Sequence, residues 1–189
     1  AVSSSVAALG GVVSPLAAQH LLLPMDAVQA NHLKAYGVTF SALREGVRSE
    51  WLLNYRGGAF LLPDLPSLRR AALLAGVTVE AMDAAAVRAL RGEMAEGNMD
   101  AVPLEKAPRI AVYTPPDAPP WDDAVTLALT YAGIPYDAIW DDAVLDTDLS
   151  TYDWIHLHHE DFTGQQHKLA SVYRDAPWFV RSRERDLAM

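Results

Sequence analysis

The hydrophobic pattern of the chain alternates between short apolar runs and longer amphipathic stretches. Apolar runs of four to eight residues predict strands, whereas apolar positions that recur every three or four residues predict helices. In the first half, the predicted strands are 20–25, 51–55, 59–62 and 77–82. The predicted helices there are 27–36, 38–47, 67–75 and 84–94. This alternation is typical of an α/β protein.

Polar residues and glycines mark the ends of these elements. Asp26 is placed to cap the first predicted helix and Gly37 to end it, while Asp83 is placed to cap the helix at 84–94. Residues 56–58 (Arg-Gly-Gly) separate two apolar runs. Such a polar, glycine-rich spacer predicts a hairpin or a tight loop.

Residues 96–108 lack hydrophobic periodicity and hold two prolines, which predicts a linker between two units. Beyond this linker the predicted strands are 109–113, 136–140 and 152–158, with a helix ending at Ala132 and an acidic loop or short helix at 141–150. Strands connected in this way predict right-handed parallel crossovers. The predicted organisation is a leader (1–18), an N-terminal α/β subdomain (19–95), the linker, and an incomplete α/β unit (109–189).

The first 18 residues are uncharged and consist of small and apolar side chains. Pro15, followed by small residues, is typical of the end of a signal peptide. The alternative is an uncleaved membrane anchor, but Pro15, Gln19 and His20 interrupt it before the roughly 20 apolar residues that a membrane span needs. The leader therefore predicts an exported protein, either periplasmic or membrane-associated.

The composition is that of an acidic globular protein. Of 189 residues, 51% are hydrophobic, which suffices for a sizeable core. The net charge is −9, and this disfavours nucleic acid as a partner because proteins that bind it carry a basic surface. Residues 110–167 contain no lysine or arginine. That stretch predicts either a solvated acidic face or a surface that attracts a divalent cation or a basic partner.

Several kinds of chemistry are excluded by residues or motifs that the sequence lacks. There is no cysteine, so these residues hold no disulfide, no thiolate metal ligand and no cysteine nucleophile. The sequence also contains no GxGxxG, Walker A, HExxH or GxSxG motif. It therefore offers no recognised nucleotide, zinc-protease or serine-hydrolase signature.

Three histidines and two carboxylates follow the last predicted strand: His156, His158, His159, Glu160 and Asp161. Ligands of open α/β sheets bind beyond the carboxyl ends of the strands, so this cluster is the leading pocket candidate. Imidazoles with a carboxylate suit a divalent metal such as zinc, for which His156, His158 and Glu160 are the candidate ligands. The alternatives are hydrogen bonds to loop backbone or contacts with a small polar substrate.

Other polar and aromatic positions have simpler interpretations. Arg56 is a further pocket candidate that could clamp a carboxylate or phosphate, although an ordinary hairpin turn explains its position as well. Asp122 and Asp123 are predicted at the start of a helix rather than as an acid–base pair. Three tryptophans are predicted to be core residues because they follow the apolar pattern: Trp121, Trp140 and Trp154.

Five segments together resemble a family of exported bacterial proteins that is usually labelled "asparagine synthetase B". They are LLLPMDAVQANHLKAYG (21–37), WLLNYRGGAFLLPD (51–64), NMDAVPLEKAPRIAVYTP (98–115), PPWDDAVTLALTYAGIPYD (119–137) and YDWIHLHHEDFTGQ (152–165). The resemblance covers nearly the whole chain after the leader. At residues 166–168 (Gln-His-Lys) the chain departs from the Tyr-Gly-Lys-type sequence typical of relatives.

The resemblance implies a parallel, flavodoxin-like sheet of the class I glutamine amidotransferase type, of which this chain is the N-terminal portion. True asparagine synthetases use an N-terminal cysteine and an SGGxDS-type loop, and both are absent here, so no ATP-dependent synthetase is expected. Longer relatives carry a cysteine elbow after these residues. We therefore expect an amidohydrolase-type module that is not catalytic alone. The alternatives are a non-catalytic scaffold subunit that binds a protein partner or membrane assembly, and a metal-binding hydrolase at His156–Asp161.

Overall fold

The computed structural model describes residues 19–115, 117–119, 121, 123–157 and 170–188. The chain divides into two compact units. One comprises residues up to 32 together with 46–105, and the other comprises 33–45 together with 106–189. The division at residues 105 and 106 falls inside the segment predicted as a linker, but the sequence did not predict that 33–45 belongs with the second unit.

The protein is a mixed α/β structure. Its strands are β1 (His20–Leu23), β2 (Ser49–Leu53), β3 (Phe60–Pro63), β4 (Glu80–Met82), β5 (Asp100–Leu104), β6 (Ile110–Tyr113), β7 (Asp137–Ile139) and β8 (Trp154–Leu157). Its helices include α1 (His32–Arg44), α2 (Pro66–Ala75), α3 (Ala84–Glu96), α4 (Ala124–Ala132), α5 (Asp141–Asp146) and α6 (Pro177–Ala188), and a 3₁₀ turn covers Leu149–Thr151.

The first unit contains an antiparallel sheet with the strand order β4-β1-β3-β2-β5. The predicted hairpin is confirmed, since β2 and β3 pair in antiparallel fashion on either side of the loop 54–59. β5 lies within the segment predicted as a linker and pairs with β2 over five residues. Pro103 concealed this strand, because proline is tolerated at a sheet edge but rarely signals a strand.

The core of the first unit lies between its sheet and α3. Leu22, Leu52 and Leu61 come from three neighbouring strands, while Leu90 and Met94 come from α3. All five are buried. Full burial of each such side chain contributes about 1.5–3 kcal/mol, so this layer fixes α3 on the sheet. The predicted cap of α3 is confirmed, because the Asp83 carboxylate accepts hydrogen bonds from two backbone N–H groups of the first turn.

The second unit contains a parallel sheet with the strand order β7-β6-β8, which confirms the predicted parallel strands. In chain order β6 comes first and lies at the centre, β7 lies on one side of it, and β8 lies on the other side. Val112 at the centre of β6 is fully buried and lies opposite Ala138 and His156 in the register. Phe40 of α1 and Leu129 of α4 cover this face of the sheet.

Gly37 lies inside a single helix, so the prediction that it ends one helix and separates two is wrong. α1 runs from His32 to Arg44, and Asp26 does not cap it. A Cβ atom added at Gly37 would lie 2.0 Å from the carbonyl oxygen of Ala132, at the end of α4. The glycine is therefore needed for the close approach of two helix backbones.

Two of the three tryptophans predicted as core residues are exposed, so that prediction is wrong for them. Trp121 retains 72% of its accessible surface and Trp154 retains 43%. Trp154 lies on β8, which has a hydrogen-bonded neighbour on only one side in the described sheet. Trp140 is partly buried and stacks on Tyr113 with ring centroids 4.7 Å apart.

The predicted leader at 1–18 lies outside the described residues. Among the helices that the structure describes, none combines the length and the apolar content of a membrane-crossing segment.

Candidate functional site

The carboxyl ends of β6, β7 and β8 lie along one edge of the parallel sheet. β7 and β8 flank β6 on opposite sides, so the chain reverses its direction of strand addition between them. Ligands of open α/β sheets bind in the crevice at such a reversal, outside the carboxyl ends of the strands. His156 of β8 and Asp123, which follows β6 in the chain, both lie at this edge.

His156 is the one member of the predicted histidine cluster that the structure describes. Its Nε2 atom lies 3.6 Å from Asp123 Oδ1, beyond an ordinary hydrogen bond. The side chains of His156 and Asp123 are 24% and 16% exposed. Nε2 itself is buried and has no hydrogen-bond partner among the residues that the structure describes. A buried polar atom without a partner is costly, so a ligand atom that satisfied it would be favoured.

Asp123 is held in place by the helix that it caps. Its Oδ1 atom accepts hydrogen bonds from the backbone N–H groups of Val125 at 2.6 Å and Thr126 at 3.1 Å. The positive end of the α4 dipole also favours the carboxylate form there. The prediction that Asp123 starts a helix is thus confirmed. Together, this fixed carboxylate and the imidazole nitrogen can bind a group that both donates and accepts a hydrogen bond.

On the opposite face of the sheet, Tyr113 and Asp141 form a second polar contact at this edge. The Tyr113 hydroxyl donates to Asp141 Oδ1 at 2.7 Å, and Arg185 of α6 donates to Asp141 Oδ2 at 2.9 Å. Burial, as the largest cause, and the hydrogen bond to Asp141 together raise the pKa of Tyr113 to about 12. Tyr113 therefore remains a neutral hydrogen-bond donor over the physiological range.

Alkaline titration tests this contact. We expect the Tyr113 phenol, measured as the ultraviolet difference between the wild-type and Tyr113→Phe proteins, to ionise near pH 12. Asp141→Asn should lower this pKa only in part, because burial is the larger cause and remains. The folded-state pKa of Tyr113 is raised above its ordinary value of 10. The contribution of Tyr113 to the free energy of unfolding is therefore fully present below pH 10 and is lost as the pH rises towards 12.

Asp142→Asn is the matched control for the titration, because Asp142 is the next residue of α5 and is exposed. It should leave the ionisation of Tyr113 unchanged. Equal effects of the two asparagine variants would contradict the assigned hydrogen bond.

Arg56, the other pocket candidate, is bound by two carboxylates of its own unit. Its Nε atom donates to Asp26 at 2.7 Å, and its Nη1 atom donates to both oxygens of Glu80 at 2.7 and 2.8 Å. The Arg56 side chain is 25% exposed. The hydrogen bond from Arg56 is the main cause that holds the pKa of Asp26 below its usual value of 3.8. The guanidinium therefore joins Asp26, in the segment that follows β1, to Glu80 of β4.

Replacing Arg56 tests these ion pairs, because their contribution to the stability of the first unit depends on pH. Because the folded-state pKa of Asp26 is depressed, the stabilisation is present above pH 3.8 and is lost as the pH falls through the folded pKa. We expect Arg56→Gln to lower the urea midpoint clearly at neutral pH and much less at strongly acidic pH. Arg88→Gln, on the exposed side of α3, should change the midpoint little at either pH. If Arg56→Gln lowers the urea midpoint by the same amount at neutral and at strongly acidic pH, the ion pair with Asp26 is contradicted.

The rest of the predicted cluster, His158, His159, Glu160 and Asp161, lies outside the described residues. A zinc site formed by His156, His158 and Glu160 therefore stays a prediction. Within the described ranges there is no group of three or more potential metal-binding side chains.

The sequence did not predict the contacts that His156 and Tyr113 make. Asp123 was interpreted only as a helix-start residue, and Asp141 only as part of an acidic loop or short helix. A signal was present, since each follows a predicted parallel strand in the chain, Asp141 soon after β7 and Asp123 at the start of the helix after β6. The carboxyl ends of parallel strands meet at one edge, which brings such residues together.

Comparisons of the chain with protein-family models, with curated proteins and with solved structures found no match.

Proposed function

We propose that the chain is an amidotransferase-like α/β module that binds a small polar amide at His156 and Asp123 and does not hydrolyse it alone. The observation that carries this proposal is the Nε2 atom of His156, which is buried beside a fixed carboxylate at the strand reversal and has no hydrogen-bond partner in the described part of the chain. An amide offers both an N–H donor and a carbonyl acceptor, so it complements a carboxylate and an imidazole at the same time.

Two further features support the amidotransferase-like assignment. The strand order β7-β6-β8 corresponds to the first three strands of the flavodoxin-like order 2-1-3-4-5. The resemblance of the five sequence segments points to the same architecture. Because these residues hold no cysteine, a thiol nucleophile for amide hydrolysis would have to come from outside them. The proposed role of this chain is therefore to bind and orient the substrate.

Calorimetric titration with glutamine and asparagine tests the proposal. We expect saturable binding without release of ammonia, and weakening on the order of tenfold in His156→Gln, the size expected for one lost hydrogen bond to a charged or polar partner. Asp123→Asn should weaken binding comparably while it preserves α4, because asparagine caps a helix as well as aspartate does.

His20→Gln is the matched control, because His20 also has a buried ring nitrogen with no hydrogen-bond partner among the described residues but lies in the first unit. It should bind the amides as the wild-type protein does. No saturable binding of either amide, or equal weakening by the His20 and His156 variants, would overturn the proposal.

A scaffold role is the second candidate, and the C-terminal part of the second unit favours it. Five large apolar or aromatic side chains are exposed there: Val172, Tyr173, Trp178, Val180 and Leu187. Such exposed side chains are typical of surfaces that bind another protein. If the chain is a scaffold subunit, its native mass measured from its source should exceed that of the isolated chain, and Trp178→Ser should restore the smaller mass. A native mass equal to that of the lone chain would exclude this role.

A further inference from the structure

A cavity of about 330 Å³ lies at the carboxyl edge of the parallel sheet, on the face opposite His156. The last residues of all three strands line it: Tyr113, Ile139 and Leu157. Ile155 also lines it, and side chains on a strand alternate between faces, so His156 points to the other side. The volume lies within the range of about 300–1,000 Å³ that is typical of small-molecule sites.

Apolar side chains form most of the wall of this cavity. Val144 of α5 and Leu149 of the following 3₁₀ turn complete the aliphatic surface that the strand residues begin. These side chains make no hydrogen bonds, so they favour the hydrocarbon part of a ligand. The other lining residues in the described part of the chain are one tyrosine and two aspartates.

The two aspartates differ in their partners. Asp141 already accepts hydrogen bonds from Tyr113 and from Arg185, so its charge is compensated. Asp186 of α6 is exposed at the rim, and the described part of the chain offers it no ion pair. The charges of Asp141, Arg185 and Asp186 sum to one negative charge in excess. A cation at the rim would neutralise it.

We propose that this cavity binds a primary alkylammonium ion, with its ammonium group at Asp186 and its alkyl chain against Ile139, Ile155 and Leu157. A carboxylate or phosphate ligand would be repelled by the excess negative charge. A divalent cation would need six or more oxygen ligands, which these aliphatic walls do not provide. An uncharged hydrocarbon would fill the cavity but gain nothing from the charge of Asp186.

This site is independent of the proposed amide site. The two lie on opposite faces of the sheet and share no side chain. Substitutions in one are therefore expected to leave binding at the other unchanged, so the two proposals can fail separately.

Titration of the 189-residue chain with n-butylammonium, followed by NMR, tests the proposal. 1-Butanol and butyrate have nearly the same size and differ in charge. We expect saturable binding of n-butylammonium, about threefold tighter than that of butanol because an ion pair with the exposed Asp186 contributes only modestly, and weaker binding of butyrate than of butanol. Equal affinity for the amine and the alcohol would overturn the proposal, and so would the absence of saturable amine binding.

Three variants identify the site. Asp186→Asn should reduce the affinity for the amine to that for butanol, and its exposed position allows the variant to fold, which an unchanged urea midpoint would verify. Asp146→Asn, an exposed residue of α5 outside the lining, should bind the amine as the wild-type protein does. His156→Gln should also retain amine binding. Undiminished amine binding in Asp186→Asn would exclude this cavity as the site.

Discussion

Replacing Gly37 with alanine is expected to destabilise the second unit by on the order of 2–3 kcal/mol. Two effects oppose each other. Alanine is favoured over glycine inside a helix by about 0.5–1 kcal/mol. Against this gain, the new Cβ atom would lie 2.0 Å from the carbonyl oxygen of Ala132, and a backbone atom cannot move aside as a side chain can. The steric effect is the larger one, because α1 and α4 must move apart.

Gly92→Ala is the matched control for this substitution. Gly92 also lies inside a helix, α3, but apart from its own helix backbone no described atom lies within 4 Å of the position that its Cβ would occupy. The propensity gain then acts alone, and this variant should be more stable than the wild-type protein by about 0.5–1 kcal/mol. Urea unfolding measures both differences. If Gly37→Ala and Gly92→Ala shift stability in the same direction, the close packing of α1 on α4 is contradicted.

Replacing Gly57 with alanine is expected to cost on the order of 3 kcal/mol in the first unit, since two penalties add. The φ angle of Gly57 is +78°, where a residue with a side chain is strained by about 1–2 kcal/mol. The new Cβ would also lie 2.4 Å from the carbonyl oxygen of Met25. The N–H group of Met25 donates to the carbonyl of Arg56, so the loop cannot withdraw without breaking that hydrogen bond.

Gly76→Ala separates the two penalties. Gly76 has a similar φ angle of +67° at the end of α2, but the space around its Cβ position is open. This variant should lose only the backbone contribution, about 1–2 kcal/mol. Equal losses for the Gly57 and Gly76 variants in urea unfolding would mean that the loop at 54–58 is not held against the end of β1.

The sequence predicted those elements whose signals are local. The limits of α3 follow from the Asp83 cap, and the end of α2 follows from Gly76, which adopts the left-handed conformation as expected. The parallel strands β6, β7 and β8 follow from apolar runs separated by turn signals. Each of these signals acts within a few residues, so no knowledge of the tertiary structure is needed.

The predictions that failed depend on residues far apart in the chain. Gly37 has the same local appearance as a helix-ending glycine, and only its contact with Ala132, 95 positions later, reveals why it is there. Trp154 follows the apolar pattern of a core strand, yet it lies on a strand with one neighbour in the described sheet. His156 was a candidate from the sequence, but its proximity to Asp123 could be recognised only from the strand order.

The response of the His156 ring nitrogens to an added amide tests most directly whether the carboxyl edge of the parallel sheet is a binding site. Its imidazole nitrogen resonances can be followed by NMR in the 189-residue chain as glutamine is added. If the amide binds between His156 and Asp123, the Nε2 resonance should shift saturably and the resonances of His20 should stay in place. If the His156 nitrogens do not respond, or if both histidines shift alike and without saturation, the carboxyl edge of this sheet does not bind an amide.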